Sequence, residues 1–177
     1  MTIHRGDPFS DSASARDVIR QFRGRLAAGV TLWASGRAGS RRAGLTVSSL
    51  LVANGDPPRV LGLLDPLADL VEVLGDTRRT AVTLLRHGDR RVAEVFARTV
   101  PAPGGLFRQA EFADQPWGPV LVGATSWVGL RLQQFEEVGW SVLATCTIEH
   151  VTVGEMGDPL VHYRGGYPRL AVDSAQR

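Results

Sequence analysis

Residues 44–58 read GLTVSSLLVANGDPP. The run is apolar at both ends, and Thr46, Ser48 and Ser49 place three hydroxyls in its middle. A buried strand rarely carries such a cluster, because each buried polar group needs a hydrogen-bond partner. A half-exposed edge strand carries hydroxyls freely, since water solvates them. A strand that lines a binding surface carries them as ligand contacts. The residues alone leave both of these arrangements open.

Working outward, GVTLWASG (29–36) reads as a strand and RAGSRRAG (37–44) as a Gly-rich charged turn. With AGLTVSSLLVAN (43–54) as the next strand, the pair makes a hairpin with a long loop. Pro57-Pro58 ends it, because proline cannot donate to a ladder. Upstream, Ser14 caps a helix running to about Leu26, with Val18, Ile19, Phe22 and Leu26 on one face. Downstream, RVLGLL (59–64) and TAVTLL (80–85) are strands. Between them Asp65-Pro66 opens a helix with a core stripe of Leu67, Leu70, Val71 and Leu74. Asp89 caps a third helix with Val92, Val95 and Phe96 inward.

Residues 99–118 read as a long loop with one turn around 106–112. From 119 two long strands follow, joined by a turn at Val138-Gly139. In the first of them Val128, Leu130 and Leu132 share one face, while Arg131 and Gln133 share the other. DPLVHYRGGYPRL (158–170) adds a short strand and a turn. Seven or eight strands with three helices, not strictly alternating, predict a mainly β fold: an antiparallel barrel with helices packed outside. One domain spans 14–170, between tails at 1–13 and 171–177.

The chain has 177 residues, 44% hydrophobic and 21% charged, which suits one folded domain. All 20 basic residues are Arg, so the pI is 9.3 although the net charge is only +2. The pairs Arg41-Arg42, Arg78-Arg79 and Arg90-Arg91 are scattered and lack interleaved aromatics, so no nucleic-acid partner is expected. A single cysteine, Cys146, excludes an intrachain disulfide and reads as a core residue in an apolar strand. No apolar leader and no membrane-length run is present, so the expected location is cytoplasmic, without a membrane partner.

Polar catalysis has no constellation in this sequence. The histidines, His4, His87, His150 and His162, lack metal-ligand spacing, so no metal is expected. HExxH, GxSxG and Walker patterns are missing. Lone His150 and His162 read as edge or turn residues. A protein that grips a redox cofactor needs no acid–base pair of its own, because the cofactor carries the hard chemistry.

The sequence resembles the flavin reductase-like, FMN-binding split-barrel family. Four segments carry the likeness in register between Val18 and Leu170: Leu26–Thr31, Gly44–Leu50 with Asp56–Pro58, RTAVTLL (79–85), and PLVHYRGGYPRL (159–170). The resemblance implies a six-stranded antiparallel Greek-key split barrel that dimerises, with FMN or FAD near the dimer interface. It implies reduction of that flavin by NADH or NADPH, with an oxygenase as a further partner in two-component monooxygenases. A non-reductase binding protein for flavin, deazaflavin or another flat ligand is the alternative on the same fold.

Carried over residue by residue, the resemblance points to Thr46, Val47, Ser48 and Ser49 along the flavin. Asp65, Leu67 and Ala68 stand at the phosphate segment, with Arg79 assisting there and offsetting Asp69. Tyr163 and Arg164 either close over the cofactor or end a sheet. Two departures stand out. LDPLADL (64–70) lacks the hydroxyls of the family's phosphate segment, leaving the amides of a helix N-terminus at Pro66–Ala68. Trp140 stands where reductase members carry His, and borders the nicotinamide or serves as a hairpin surface aromatic.

Overall fold

The hydroxyl run is not one strand. In a computed structural model describing residues 15–155 and 157–170, it divides into β3 (Arg42–Val47) and β4 (Leu50–Ala53), with Ser48 and Ser49 between them. Strand β3 pairs with β2 (Thr31–Gly36), Thr31 opposite Val47, which is the predicted hairpin. Strand β4 instead pairs with β5 (Arg59–Leu64), Leu50 opposite Gly62.

Three more strands, β6 (Arg79–Leu84), β9 (Trp127–Val138) and β10 (Ser141–Thr152), complete a seven-stranded sheet in the order β3-β2-β6-β9-β10-β5-β4. Every neighbouring pair is antiparallel. Strands β3 and β4 are consecutive in the chain yet form opposite edges. In a flat sheet six spacings of ~4.8 Å would hold those edges about 29 Å apart. The Cα atoms of Val47 and Leu50 are three virtual bonds apart, at most about 11 Å. The sheet therefore curls until its edges meet at Ser48–Ser49. Counted as one bent strand, 42–53 makes the half-barrel six-stranded, as the resemblance implied.

Inside it Trp33, Val60, Leu64, Val82, Leu130, Leu132 and Cys146 are buried. The Trp33 indole N–H donates to Thr31 Oγ1 at 3.1 Å, and that hydroxyl donates to the Val47 carbonyl at 2.7 Å. Helix α2 (Asp69–Thr77) adds Leu70, Val73 and Leu74 to the core. The predicted stripe is corrected at one end: Leu67 precedes the helix and is 91% exposed, and Val73 takes the inward position.

Helix α1 (Ala15–Gly24) leads into the two-residue strand β1 (Ala28–Gly29), which pairs with β11 (Val161–His162). The predicted strand 29–36 is thus interrupted at Val30, whose amide turns to the Leu160 carbonyl and whose carbonyl takes the Leu85 amide. Helix α3 (Arg90–Phe96) buries Ala93, Val95 and Phe96 in a second cluster with Leu32, Leu85 and Leu160. Residue Asp89 stands at its N-cap, but the carboxylate accepts from the Arg86 amide at 2.8 Å instead of capping α3.

The segment 99–118 is more ordered than a loop. It contains β7 (Phe112–Gln115), which pairs with β8 (Gly118–Leu121), and Phe107 and Phe112 pack edge-to-face on Phe96 at 5.1 and 5.7 Å. The long strand expected from 119 accordingly breaks between Leu121 and Trp127.

Candidate functional site

Where the sheet edges meet, two of the three hydroxyls are consumed by the fold. Thr46 Oγ1 donates to the Ala93 carbonyl at 2.8 Å, tying β3 to α3. Ser49 Oγ donates to the Leu63 carbonyl at 2.9 Å, and the Leu63 amide returns a 3.0 Å bond to the Ser49 carbonyl. Val47 is buried. The half-buried Ser48 keeps its hydroxyl without a protein partner among the described residues. Both serines stand between the β2–β3 and β4–β5 ladders.

Two cavities meet at this kink, and Ala28, Ser48, Ser49 and Leu63 line both. One, of about 820 Å³, is apolar, walled by residues such as Leu50, Leu61, Leu84, Leu143 and Leu160. The other, of about 630 Å³, mixes apolar wall with charged and polar groups: Arg20, Arg23, Thr46, Asp65 and His162 line it beside Leu26, Leu45 and Leu63. Each falls in the size range of small-molecule sites. Together they suit an amphiphile with a flat apolar ring and a charged tail. The unpartnered hydroxyl at the junction and the leucine wall beside it fit the donor needs and the flat face of a flavin ring.

The remaining candidates divide. Asp65 lines the second cavity, but its Oδ1 accepts the Leu67 amide at 2.9 Å and its carbonyl accepts the Ala68 amide at 3.0 Å. Pro66 has no amide hydrogen, so the amides expected at Pro66–Ala68 are occupied or missing. Ala68 is the N-cap of α2, without a side-chain cap. Arg79 lines neither cavity: its Nε lies 3.7 Å from Glu149 Oε2. It also does not offset Asp69. Arg98 makes the ion pair with Asp69 instead.

Tyr163 and Arg164 belong to the turn after β11. The Arg164 amide donates to the Gly24 carbonyl at 2.7 Å, fastening that turn to the end of α1. Neither side chain lines the cavities, whereas their neighbours His162 and Gly165 do. Trp140 sits at the tip of the β9–β10 hairpin, 74% exposed and outside both linings.

Sequence reading missed Arg20, Arg23 and His162 as cleft residues. The signal was the i, i+3 spacing of the two arginines, which puts them on one face of α1. His162 titrates below the ordinary histidine range, through burial first and the Arg23 charge second. The Cys146 thiol is pushed up to about 12 by burial, which makes it inert core. His150 lies outside the cleft, stacked on Trp117 at 5.0 Å, with Nε2 2.9 Å from Thr152 Oγ1. Among the described residues no group of three His, Cys, Asp or Glu is placed to hold a metal ion.

A half-barrel whose edges meet at a hydroxyl-bearing kink, beside a cleft of two characters, defines a ligand-binding split barrel. Residues 23–171 match the flavin reductase like domain, and the chain belongs to that family. The reductase component of 4-hydroxyphenylacetate 3-monooxygenase from Thermus thermophilus is 29% identical over 155 residues, covering 88% of this chain and 97% of that one. The FMN reductase (NADH) RutF of Ancylobacter novellus is 25% identical over 160 residues, covering 90% and 87%. Among solved structures, an NADH:FAD oxidoreductase from Streptomyces globisporus C-1027 superposes with a TM-score of 0.80 at 22% identity, covering 92% and 99%. That likeness supports the fold. The chain is a flavin reductase in the sense of its family, whose members use a flavin and a reduced nicotinamide nucleotide.

Proposed function

We propose that this flavin reductase holds FMN or FAD at the Ser48–Ser49 junction and delivers the reduced flavin to a separate oxygenase. The observation that carries the site is the meeting of an apolar and a charge-bearing cavity at one half-buried hydroxyl that has no partner among the described residues. When bound, the flavin supplies the hydride-accepting centre and NADH or NADPH the hydride. The chain supplies grip and shelter. The Ser48 hydroxyl and the two serine amides would donate to the polar edge of the ring. Leu50, Leu61, Leu84 and Leu143 would keep water from its face. Bonds from Thr46 to Ala93 and from Ser49 to Leu63 hold that wall rigid, so its hydroxyls cost little reorganisation on binding. The partner oxygenase is supported by the names of two curated relatives, each the reductase component of such a monooxygenase.

A homodimer completes this reading. Val18, Ile19 and Phe22 on α1 are 60%, 68% and 67% exposed, and Leu51 and Val52 on the edge strand are exposed with them. A second copy is the occupant that matches the family resemblance and would cover this apolar surface beside the open cleft. Among the described residues no helix is long and apolar enough to cross a membrane.

Titration of the protein with riboflavin, FMN and FAD, read by flavin fluorescence, tests the site. Ser48→Leu fills the junction and is expected to weaken all three flavins at least tenfold. Unchanged binding of all three would place the flavin elsewhere. A protein that binds flavin yet oxidises neither nucleotide would favour the non-reductase alternative.

A further inference from the structure

Arg20 and Arg23, three residues apart on α1 and both exposed, line the second cavity together with Thr46, Ser48 and Ser49. Among the described residues no carboxylate lies within ion-pair range of either. Arg41, Arg79, Arg86, Arg90, Arg98 and Arg131 each have one. Among the described residues Asp65 is the one acidic side chain lining this cavity, and its Oδ1 is engaged by the Leu67 amide of its own turn. The other ionisable lining group is His162. Two guanidinium groups with no carboxylate partner among the described residues, lining one cavity, form a candidate anion site, and guanidinium matches phosphate by paired, charge-assisted hydrogen bonds.

We propose that Arg20 and Arg23 are the phosphate anchors of this reductase, taking a phosphoryl group of the bound flavin or of the nicotinamide nucleotide. The assignment rests on the reading that the cleft at Ser48–Ser49 is the cofactor site. It moves the anionic end of the ligand away from the start of α2. There the amides of Leu67 and Ala68 are occupied. It also gives the cleft its polarity: ring toward the leucines, phosphate toward the arginines.

The test compares ligands with and without phosphate on Arg20→Gln, Arg23→Gln and the double variant. Flavin affinity is measured with FMN and riboflavin. The KM for the hydride donor is measured with NADH and with N-benzyl dihydronicotinamide, which has no phosphate. If the flavin phosphate is bound, the double variant weakens FMN about tenfold and leaves riboflavin within twofold. If the nucleotide phosphates are bound, the KM for NADH rises about tenfold and that for the phosphate-free donor stays. Arg→Lys variants recover part of the loss in either arm. Riboflavin retention also reports that the variants fold.

Equal weakening of phosphate-bearing and phosphate-free ligands, or no change in either arm, overturns the assignment. Ser48→Leu in parallel separates the two claims. If it weakens riboflavin while the arginine variants spare every ligand, the cleft reading survives and the anchors do not. If it spares riboflavin, the cleft reading falls and the assignment with it.

Discussion

Ser49 and Leu63 are joined twice, by the Ser49 hydroxyl to the Leu63 carbonyl and by the Leu63 amide to the Ser49 carbonyl. That double link extends the β4–β5 ladder one position beyond the Leu50–Gly62 pair and fastens the kink to β5. Ser49→Ala removes one bond and keeps the other. The expected loss is about 0.5–1 kcal/mol of stability, the low end for a hydrogen bond because Ser49 is exposed. Denaturant unfolding measures it, and riboflavin affinity should change less than threefold.

Gly62 lies on β5, beside the edge strand β4, with its backbone close against the core. A Cβ there would lie 2.7 and 2.8 Å from two carbons of the fully buried Trp33 ring. Trp33 is held by its indole bond to Thr31, so it cannot give way cheaply. Gly62→Ala is expected to cost about 1–3 kcal/mol. Because Gly62 pairs with Leu50, flavin affinity should fall with stability.

Cys146 is neutral in the folded protein, with its pKa raised to about 12 by burial. The unfolded thiol ionises near pH 8.5. Folding therefore retains a proton between these values. The stability tied to this group is complete below the unfolded pKa and declines as pH rises toward 12, by up to ~1.4 kcal/mol per pH unit. Cys146→Ala should flatten that alkaline decline in denaturant melts. Thiol reagents at neutral pH should label the wild type only as fast as it unfolds.

The exposed apolar face of α1 is expected to be buried in a homodimer. Ile19→Asn with Phe22→Ser should give a monomer at micromolar concentration where the wild type sediments as a dimer. A wild-type monomer would contradict the shared interface.

Much of this was legible before the fold. Strand RVLGLL, the β2–β3 hairpin and the inward set of Leu130 and Leu132 follow from apolar periodicity. The break at Ser48–Ser49 was not legible, because the residues on either side keep the strand composition. Only the pairing of β4 with β5, a contact distant from β3 in the sheet, makes them a kink. The β7–β8 hairpin hid in a Pro- and Gly-rich stretch whose strands are four residues each. At the site, motif register located the hydroxyl wall, but it assigned charge by nearness in sequence. Arg79 opens β6 just past the α2 cap yet turns to Glu149, while Arg98, far along the chain, reaches Asp69. Arg20 and Arg23 were overlooked because α1 was read for its apolar stripe alone.

Reduction of flavin in the cleft at the expense of a nicotinamide nucleotide is read from the loss of NADH and NADPH absorbance with purified protein and added FMN or FAD. Oxidation of at least one nucleotide, dependent on protein, saturating in flavin and lost in Ser48→Leu, is the predicted result. Oxidation of neither nucleotide above the protein-free rate, with any flavin, would contradict it.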